Sequence, residues 1–249
     1  INILIEEKFF KLMIRLYLNT PLSEKIIITL PTEQSHYLCH VLRKRVEDTI
    51  VVFNEQNGDW LAKIVELTKK QVLIQLNHQT KVFKASHPMW LAFAPLKQEA
   101  TNLVLEKSTE LGVTHIQPLW MEHSNSQRLN QDRWRKIVIE ASEQCERHDI
   151  PIILPSLKLT DFLNNLPSSV QWFAGLERSN ETCILKALQT STSKVWGFII
   201  GPEGGFSATE KQILTKHPSI EVISLSNRVL RAETAALTAL AIAQGTLEN

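Results

Sequence analysis

Between Val195 and Phe206 an apolar run breaks abruptly into Gly201-Pro202-Glu203-Gly204-Gly205. No other stretch constrains the fold as strongly. Val195, Trp196, Phe198, Ile199 and Ile200 are nearly continuous apolar residues, the pattern of a strand covered on both faces. Three of the chain's eight glycines follow within five residues. Glycine there permits positive φ and lets a ligand approach the backbone with no Cβ in the way. Ser207 and Glu210 have the S-x-x-E spacing of a capping box, so a helix starts directly after the loop. Strand, glycine loop and helix N-terminus form a binding-site geometry, although a plain tight turn would also account for Gly-Gly. The loop is neither G-x-G-x-x-G nor a phosphate loop with its Lys-Ser/Thr.

A second stretch is built the same way. An apolar strand at residues 222–225 runs through Ser226, Asn227, Arg228, Val229, Leu230 and Arg231 into a helix rich in alanine and leucine. Two consecutive strand-to-helix loops of this kind converge at one edge of a sheet.

Together these stretches resemble the C-terminal half of the RsmE family, the SPOUT-class methyltransferases that modify N3 of a uridine in small-subunit 16S ribosomal RNA. The residues carrying the resemblance are Ile200 to Phe206 and Arg228-Val229-Leu230-Arg231-Ala232-Glu233-Thr234-Ala235-Ala236. Glu106-Lys107, Glu110 to Val113, Glu140 to Gln144 with Arg147, and His36 with Val41-Leu42-Arg43 extend it from Met13 onward. The resemblance implies an α/β fold: a SPOUT domain with a parallel sheet and C-terminal trefoil knot, preceded by a small PUA-like β-barrel. It also implies S-adenosyl-L-methionine as cofactor, a homodimer, and 16S ribosomal RNA in the assembled small subunit as partner.

Length and composition fit one large or two modest domains. With 43% apolar and 21% charged residues the chain has the balance of a globular protein. Net charge is +1 and carries no global signal for nucleic acid, but residues 15–87 hold ten basic against seven acidic residues. A mild basic excess there is compatible with RNA contact. Cys39, Cys145 and Cys183 are widely spaced and suit free thiols in a reducing cytoplasm. No apolar run is long enough to span a membrane. Residues 1–12 read as a poorly ordered extension, with the natural start near Met13.

Residues 13–81 carry short runs rich in Ile, Val and Leu, with a hairpin signal at Asn57-Gly58, and predict a small barrel. The exception is residues 32–45, where Tyr37, Leu38, Val41 and Leu42 predict one helical face. His36, His40, Arg43, Lys44 and Arg45 around it make either an RNA-facing patch or a solvated helix end. Residues 82–88 form a linker, and residues 88–249 alternate strands with helices at about 99–111, 131–147, 182–188, 208–216 and 233–247. The helix at 131–147 and the last helix, apolar around much of its circumference, are candidate dimer elements.

Methylating a uracil N3 requires removing an imide proton and presenting the anion in line with a sulfonium methyl. Arg231 can hold a uracil carbonyl or the developing anion, and it does not deprotonate. Glu233 can orient Arg231 or accept the proton; a structural ion pair between the two is the competing reading. The resemblance places cofactor binding at Ile200, Gly201, Glu203 and Gly204, largely through backbone. An apolar slot for adenine comes from Leu225, Ser226, Val229 and Leu230, with Leu176 closing it or serving as an ordinary core leucine. Arg147 and Arg228 join His36 and Arg43 as candidate RNA contacts, and Lys97 is one unless merely solvent-exposed. His36 and His40 share a face but have no further ligand, so no metal is expected. A cofactor-free RNA-binding protein, or a methyltransferase acting on transfer RNA ribose or guanine, remains an alternative.

Overall fold

The computed structural model describes residues 13–68, 71–124, 129–177 and 181–248; the expected N-terminal extension, residues 1–12, lies outside them. The described residues divide into two compact units. One runs through Ala85 and takes in Ser142–Asp149, and the other holds Ser86–Ala141 and Ile150 onward.

The first unit is a five-stranded sheet in the order β1-β3-β4-β5-β2, from β1 (Arg15–Tyr17), β2 (Ile27–Thr29), β3 (Thr49–Asn54), β4 (Gly58–Leu67) and β5 (Val72–Lys81). Only the β1–β3 pair is parallel. Alternating apolar residues of these strands, among them Ile50, Val52, Ile64, Ile74 and Leu76, meet in a fully buried cluster. The hairpin foreseen at Asn57-Gly58 forms, but with three loop residues between Asn54 and Gly58. Asn54 Oδ1 accepts from the Gln56 and Asn57 amides at 3.0 and 2.7 Å, a side-chain turn that fixes the loop.

The helix expected over residues 32–45 is shorter and mixed. A turn of α-helix, α1 (Thr32–His36), passes into a π-helical turn at Tyr37–Val41, with the Leu42 amide bonded to the Tyr37 carbonyl at 3.0 Å. The wider turn breaks the 3.6-residue stripe. Leu38 is fully buried, while Tyr37 and Val41, expected on the same face, stand exposed.

The second unit holds the larger sheet, ordered β11-β13-β10-β12-β6-β7-β8 with β9 on β7. Its strands are β6 (Met89–Phe93), β7 (His115–Trp120), β8 (Ile152–Ile153), β9 (Leu157–Lys158), β10 (Gln171–Gly175), β11 (Thr182–Cys183), β12 (Trp196–Ile200) and β13 (Ile220–Ser224). Every pair is parallel, as the alternation of strands and helices predicts. All five residues of β12 are buried. Trp172 and Trp196 are among the largest fully buried side chains. The helices are α2 (Gln98–Glu110), α3 (Gln131–Gln144), α4 (Leu159–Leu163), α5 (Ile184–Thr190), α6 (Ala208–Lys216) and α7 (Ala232–Leu247). The short β8, β9, α4 and β11 are additions to the sequence reading. None of the described helices is long and apolar enough to cross a membrane.

Candidate functional site

Three parallel strands decide where a ligand can bind. β10 lies between β12 and β13, so the segments leaving all three emerge at one edge, the carboxyl edge at which open α/β sheets take ligands. There they enclose a cleft with about 650 Å³ of empty volume, the part open to solvent included, a size suited to a small molecule.

The β12 loop is built as the spacing predicts. Ser207 Oγ accepts from the Glu210 amide at 3.2 Å and Glu210 Oε2 accepts from the Ser207 amide at 2.9 Å, closing the capping box of α6. The other Glu210 oxygen accepts from the Glu122 amide at 2.9 Å, so one buried carboxylate ties the helix start to the segment after β7. The loop itself turns through a Gly205 amide to Pro202 carbonyl bond of 2.9 Å. Gly205, at φ +70°, takes the left-handed conformation that disfavours a side chain. At the foot of the cleft a Cβ on Gly175 would stand 2.8 Å from Leu225 Cδ1 and 3.3 Å from Ile200 Cδ1, so a bare backbone is what lets these two leucine and isoleucine side chains close over the strand end.

Leu176, Ile200, Gly201, Glu203, Leu225, Ser226, Val229 and Leu230 all line the cleft. Arg228, expected to reach RNA, lines it too and is exposed. Gly204 does not line it: a Cβ there would press on His123 at 3.0 Å, and His123 Nδ1 lies 3.0 Å from the Gly205 carbonyl. Two polar members of the wall are already engaged. Glu203 Oε1 accepts from the Lys97 amide at 3.1 Å, at the start of α2, and Ser226 Oγ accepts from the Arg228 amide at 3.1 Å.

Arg231 and Glu233 sit beside the cleft and do not line it, although Ala232 and Ala235 do. Arg231 is the exposed N-cap residue of α7, its carbonyl accepting from the Ala235 amide at 2.8 Å, and Glu233 lies in the first turn. No ion pair joins the two among the described residues. Lys97 is exposed, as are His36 and Arg43 in the first unit. Arg147 is different: its side chain is 8% exposed and its guanidinium is forked onto Asp149 at 2.6 and 3.3 Å, in the first unit. The described residues contain no group of three or more His, Cys, Asp or Glu placed to hold a metal ion.

Gly175 and Glu177 also line the cleft and were not singled out from sequence; Pro202, Gly205 and Phe206 of the ligand loop line it too, beyond the loop residues expected to contact the cofactor. Glu177 is next to Leu176 and could have been found from that neighbour. His123 has no local signal, since its contact lies 82 residues away.

A family model for an RNA methyltransferase domain matches residues 84–244, and one for an RNA methyltransferase PUA domain matches residues 30–77. The ribosomal RNA small subunit methyltransferase E of Rickettsia conorii is 35% identical over 228 residues, covering 91% of this chain and 93% of the relative. A methyltransferase structure from Legionella pneumophila, in complex with bound cofactor SAM, is 30% identical with a TM-score of 0.84, covering 94% of this chain and 98% of that one. A ribosomal RNA small subunit methyltransferase E from Neisseria gonorrhoeae bound to S-adenosyl methionine is 29% identical with a TM-score of 0.82, at the same coverages. With a PUA domain ahead of a parallel-sheet methyltransferase domain, the chain belongs to the RNA methyltransferases of the ribosomal RNA small subunit methyltransferase E family.

Proposed function

We propose that this chain is an S-adenosylmethionine-dependent methyltransferase acting on N3 of a uridine in 16S ribosomal RNA. We further propose that it works in the cytoplasm as a homodimer on the assembled small subunit, and that the segment from β12 through α7 is wound as a trefoil knot. The observation that carries the cofactor reading is the cleft at the ends of β10, β12 and β13, whose walls combine apolar side chains and glycine backbone with three charged side chains.

The residues present suit that molecule. Leu176, Leu225, Val229 and Leu230 offer apolar faces for a planar base, and the peptide groups between Ser226 and Leu230 offer its edge partners. Gly201 and Glu203 contribute backbone, because the Glu203 side chain is held by the Lys97 amide. When bound, the cofactor supplies an electrophilic methyl group on a cationic sulfur. Among the described residues Arg231 has no ion-pair partner, and it can donate to a uracil carbonyl, stabilising negative charge as the N3 proton leaves. Glu233, two residues on, receives that proton or orients the guanidinium. His36 and Arg43 on the first unit, and Lys97 and Arg228 on the second, are exposed groups suited to phosphate contact. Arg147, committed to Asp149, is not among them.

Titration calorimetry with S-adenosylmethionine tests the cleft. Transfer of labelled methyl to assembled small subunits, naked 16S ribosomal RNA and transfer RNA, with the product nucleoside identified by mass spectrometry, tests the substrate. N3-methyluridine in the small subunit is the expected product; labelling of transfer RNA alone would overturn the substrate assignment.

A further inference from the structure

The cleft wall carries three charged side chains: Glu177, Glu203 and Arg228. Glu203 is engaged with the Lys97 amide, and Arg228 is a cation. Glu177 is the remaining carboxylate. It directly follows Leu176 on the segment leaving β10, and its Oε1 lies 3.1 Å from the place a Cβ on Gly205 would occupy. The carboxylate therefore leans from the β10 end toward the glycine loop. Lys211 Nζ stands 3.7 Å from Oε1, and Oε2 has no partner among the described residues.

We infer that Glu177 holds the ribose of the cofactor, accepting hydrogen bonds from its 2′- and 3′-hydroxyls. The inference rests on the cofactor reading above, which puts adenine in the slot closed by Leu176. The ribose is bonded directly to adenine, so the side chain one residue beyond the slot meets the sugar. A carboxylate has two oxygens to accept from a vicinal diol, and hydrogen bonds to an ionised acceptor are the stronger kind. The sulfonium is a poorer partner. Its positive charge disappears as the methyl leaves, so a carboxylate beside it would favour the ground state over the transition state and slow the reaction. The α-amino group lies beyond the sulfur, at the end of the molecule remote from adenine.

Calorimetry with three ligands separates these positions. S-adenosylmethionine has every group, S-adenosylhomocysteine lacks the sulfonium charge, and 5′-methylthioadenosine keeps adenine and ribose but lacks the amino-acid end. Glu177→Gln is expected to weaken all three by a similar factor, about tenfold or more. Lys211→Met, which removes only an exposed ion pair, is expected to weaken 5′-methylthioadenosine less than about fivefold. Loss confined to S-adenosylmethionine would move Glu177 to the sulfonium, and loss that spares 5′-methylthioadenosine would move it to the amino group; either overturns the ribose role. So would unchanged binding of all three, or a Lys211→Met loss as large as that of Glu177→Gln. Failure of the wild-type chain to bind any of the three would instead overturn the cofactor reading itself.

Discussion

In the first unit a cluster of charged side chains is sealed inside the fold, while in the second the charged side chains stand around a cleft made largely of peptide. Arg15 and Asp59 are 7% and 3% exposed in their side chains and 2.8 Å apart. Arg15 also donates to the Ser142 carbonyl at 3.0 Å and lies 3.4 Å over the Phe53 ring. His148 Nε2 is 3.2 Å from the same Asp59 oxygen. The Lys84 amide donates to His148 Nδ1 at 3.1 Å, so a neutral ring carries its proton on Nε2, which lies beside Asp59 without a well-aligned hydrogen bond to it. Lys81 pairs with Glu146 at 3.0 Å at the edge of this group. The cluster fastens Ser142–Asp149 to the sheet. Charge there does architectural work. In the cleft the architecture rests on glycines, a capping box and main-chain bonds, with Arg228 and Glu177 on its wall and Arg231 beside it.

Removing one partner from the buried cluster should therefore have the largest effect. Asp59→Ala leaves Arg15 buried without its counter-charge, and such losses cost about 3–5 kcal/mol. Denaturant titration of the variant should show that loss, while S-adenosylmethionine affinity measured on the folded fraction stays at the wild-type value. The pH dependence follows with a definite sign. Burial raises the Asp59 carboxyl, but His148 and Arg15 outweigh it and bring its pKa below the ordinary 3.8. A depressed folded pKa contributes stability above the unfolded value, and that stability is lost as pH falls from near 3.8 through the folded value. Wild-type stability should slope downward there, and Asp59→Ala should lose this part of the slope. An equal slope in both would show that Asp59 does not hold the cluster.

Next in size is Arg231→Lys, which keeps the charge and removes the planar fork. Loss of one well-placed transition-state donor costs about 10²-fold to 10³-fold in rate. Single-turnover methylation should fall by that order with cofactor affinity unchanged, because Arg231 does not line the cleft. Unchanged turnover would remove Arg231 from the chemistry and leave the cleft reading intact.

A smaller effect distinguishes two adjacent glycines. Gly205 has φ +70° and Gly204 does not. A non-glycine residue in the left-handed region costs about 1–2 kcal/mol, and on Gly205 it would also press on Glu177. Gly205→Val should weaken S-adenosylmethionine by about tenfold or more, since 1.4 kcal/mol is a factor of ten. Calorimetry showing wild-type affinity would mean that the loop tolerates a side chain and that the cleft is not shaped by this turn.

These glycines also show where sequence stops being informative. Local signals carried the architecture of the second unit. The apolar run of β12, the glycine cluster and the Ser207–Glu210 spacing each act over a few residues, and the structure follows them. Of Gly204 and Gly205 only the second turns left-handed, and the side chains that crowd the two positions, His123 and Glu177, are remote in sequence, so the spacing could not distinguish them. The helical period at 131–147 overran for the same reason. α3 ends at Gln144 and Glu146 takes φ +61°, with no glycine or proline to announce the stop. Arg15 and Asp59 meet across 44 positions, and neither has a neighbour that signals a partner. Tyr37 and Val41 were misplaced because apolar spacing cannot distinguish an α-turn from the π-turn that exposes them.

The smallest expected effect concerns His123, which reaches the glycine loop from the segment after β7. His123 Nδ1 is 3.0 Å from the Gly205 carbonyl, and the His123 Cβ is what a side chain on Gly204 would strike. The carbonyl is the acceptor, so the ring donates through Nδ1–H in the tautomer this contact requires. A hydrogen bond between neutral groups contributes about 0.5–1.5 kcal/mol, and this one is exposed, which puts it at the low end. Its effect should appear on the loop and not on global stability: losing it frees the turn that sets Gly205 without emptying any core. His123→Ala should therefore weaken S-adenosylmethionine by roughly twofold to fivefold, with a melting temperature close to wild type. His123→Asn, whose amide can donate over a similar reach, should recover part of the loss. A loss as large as that of Gly205→Val would mean that His123 touches the ligand directly. No loss at all would mean that the Pro202–Gly205 turn and the α6 capping box hold the loop unaided, making the cleft still more independent of side chains than the comparison with the first unit implies.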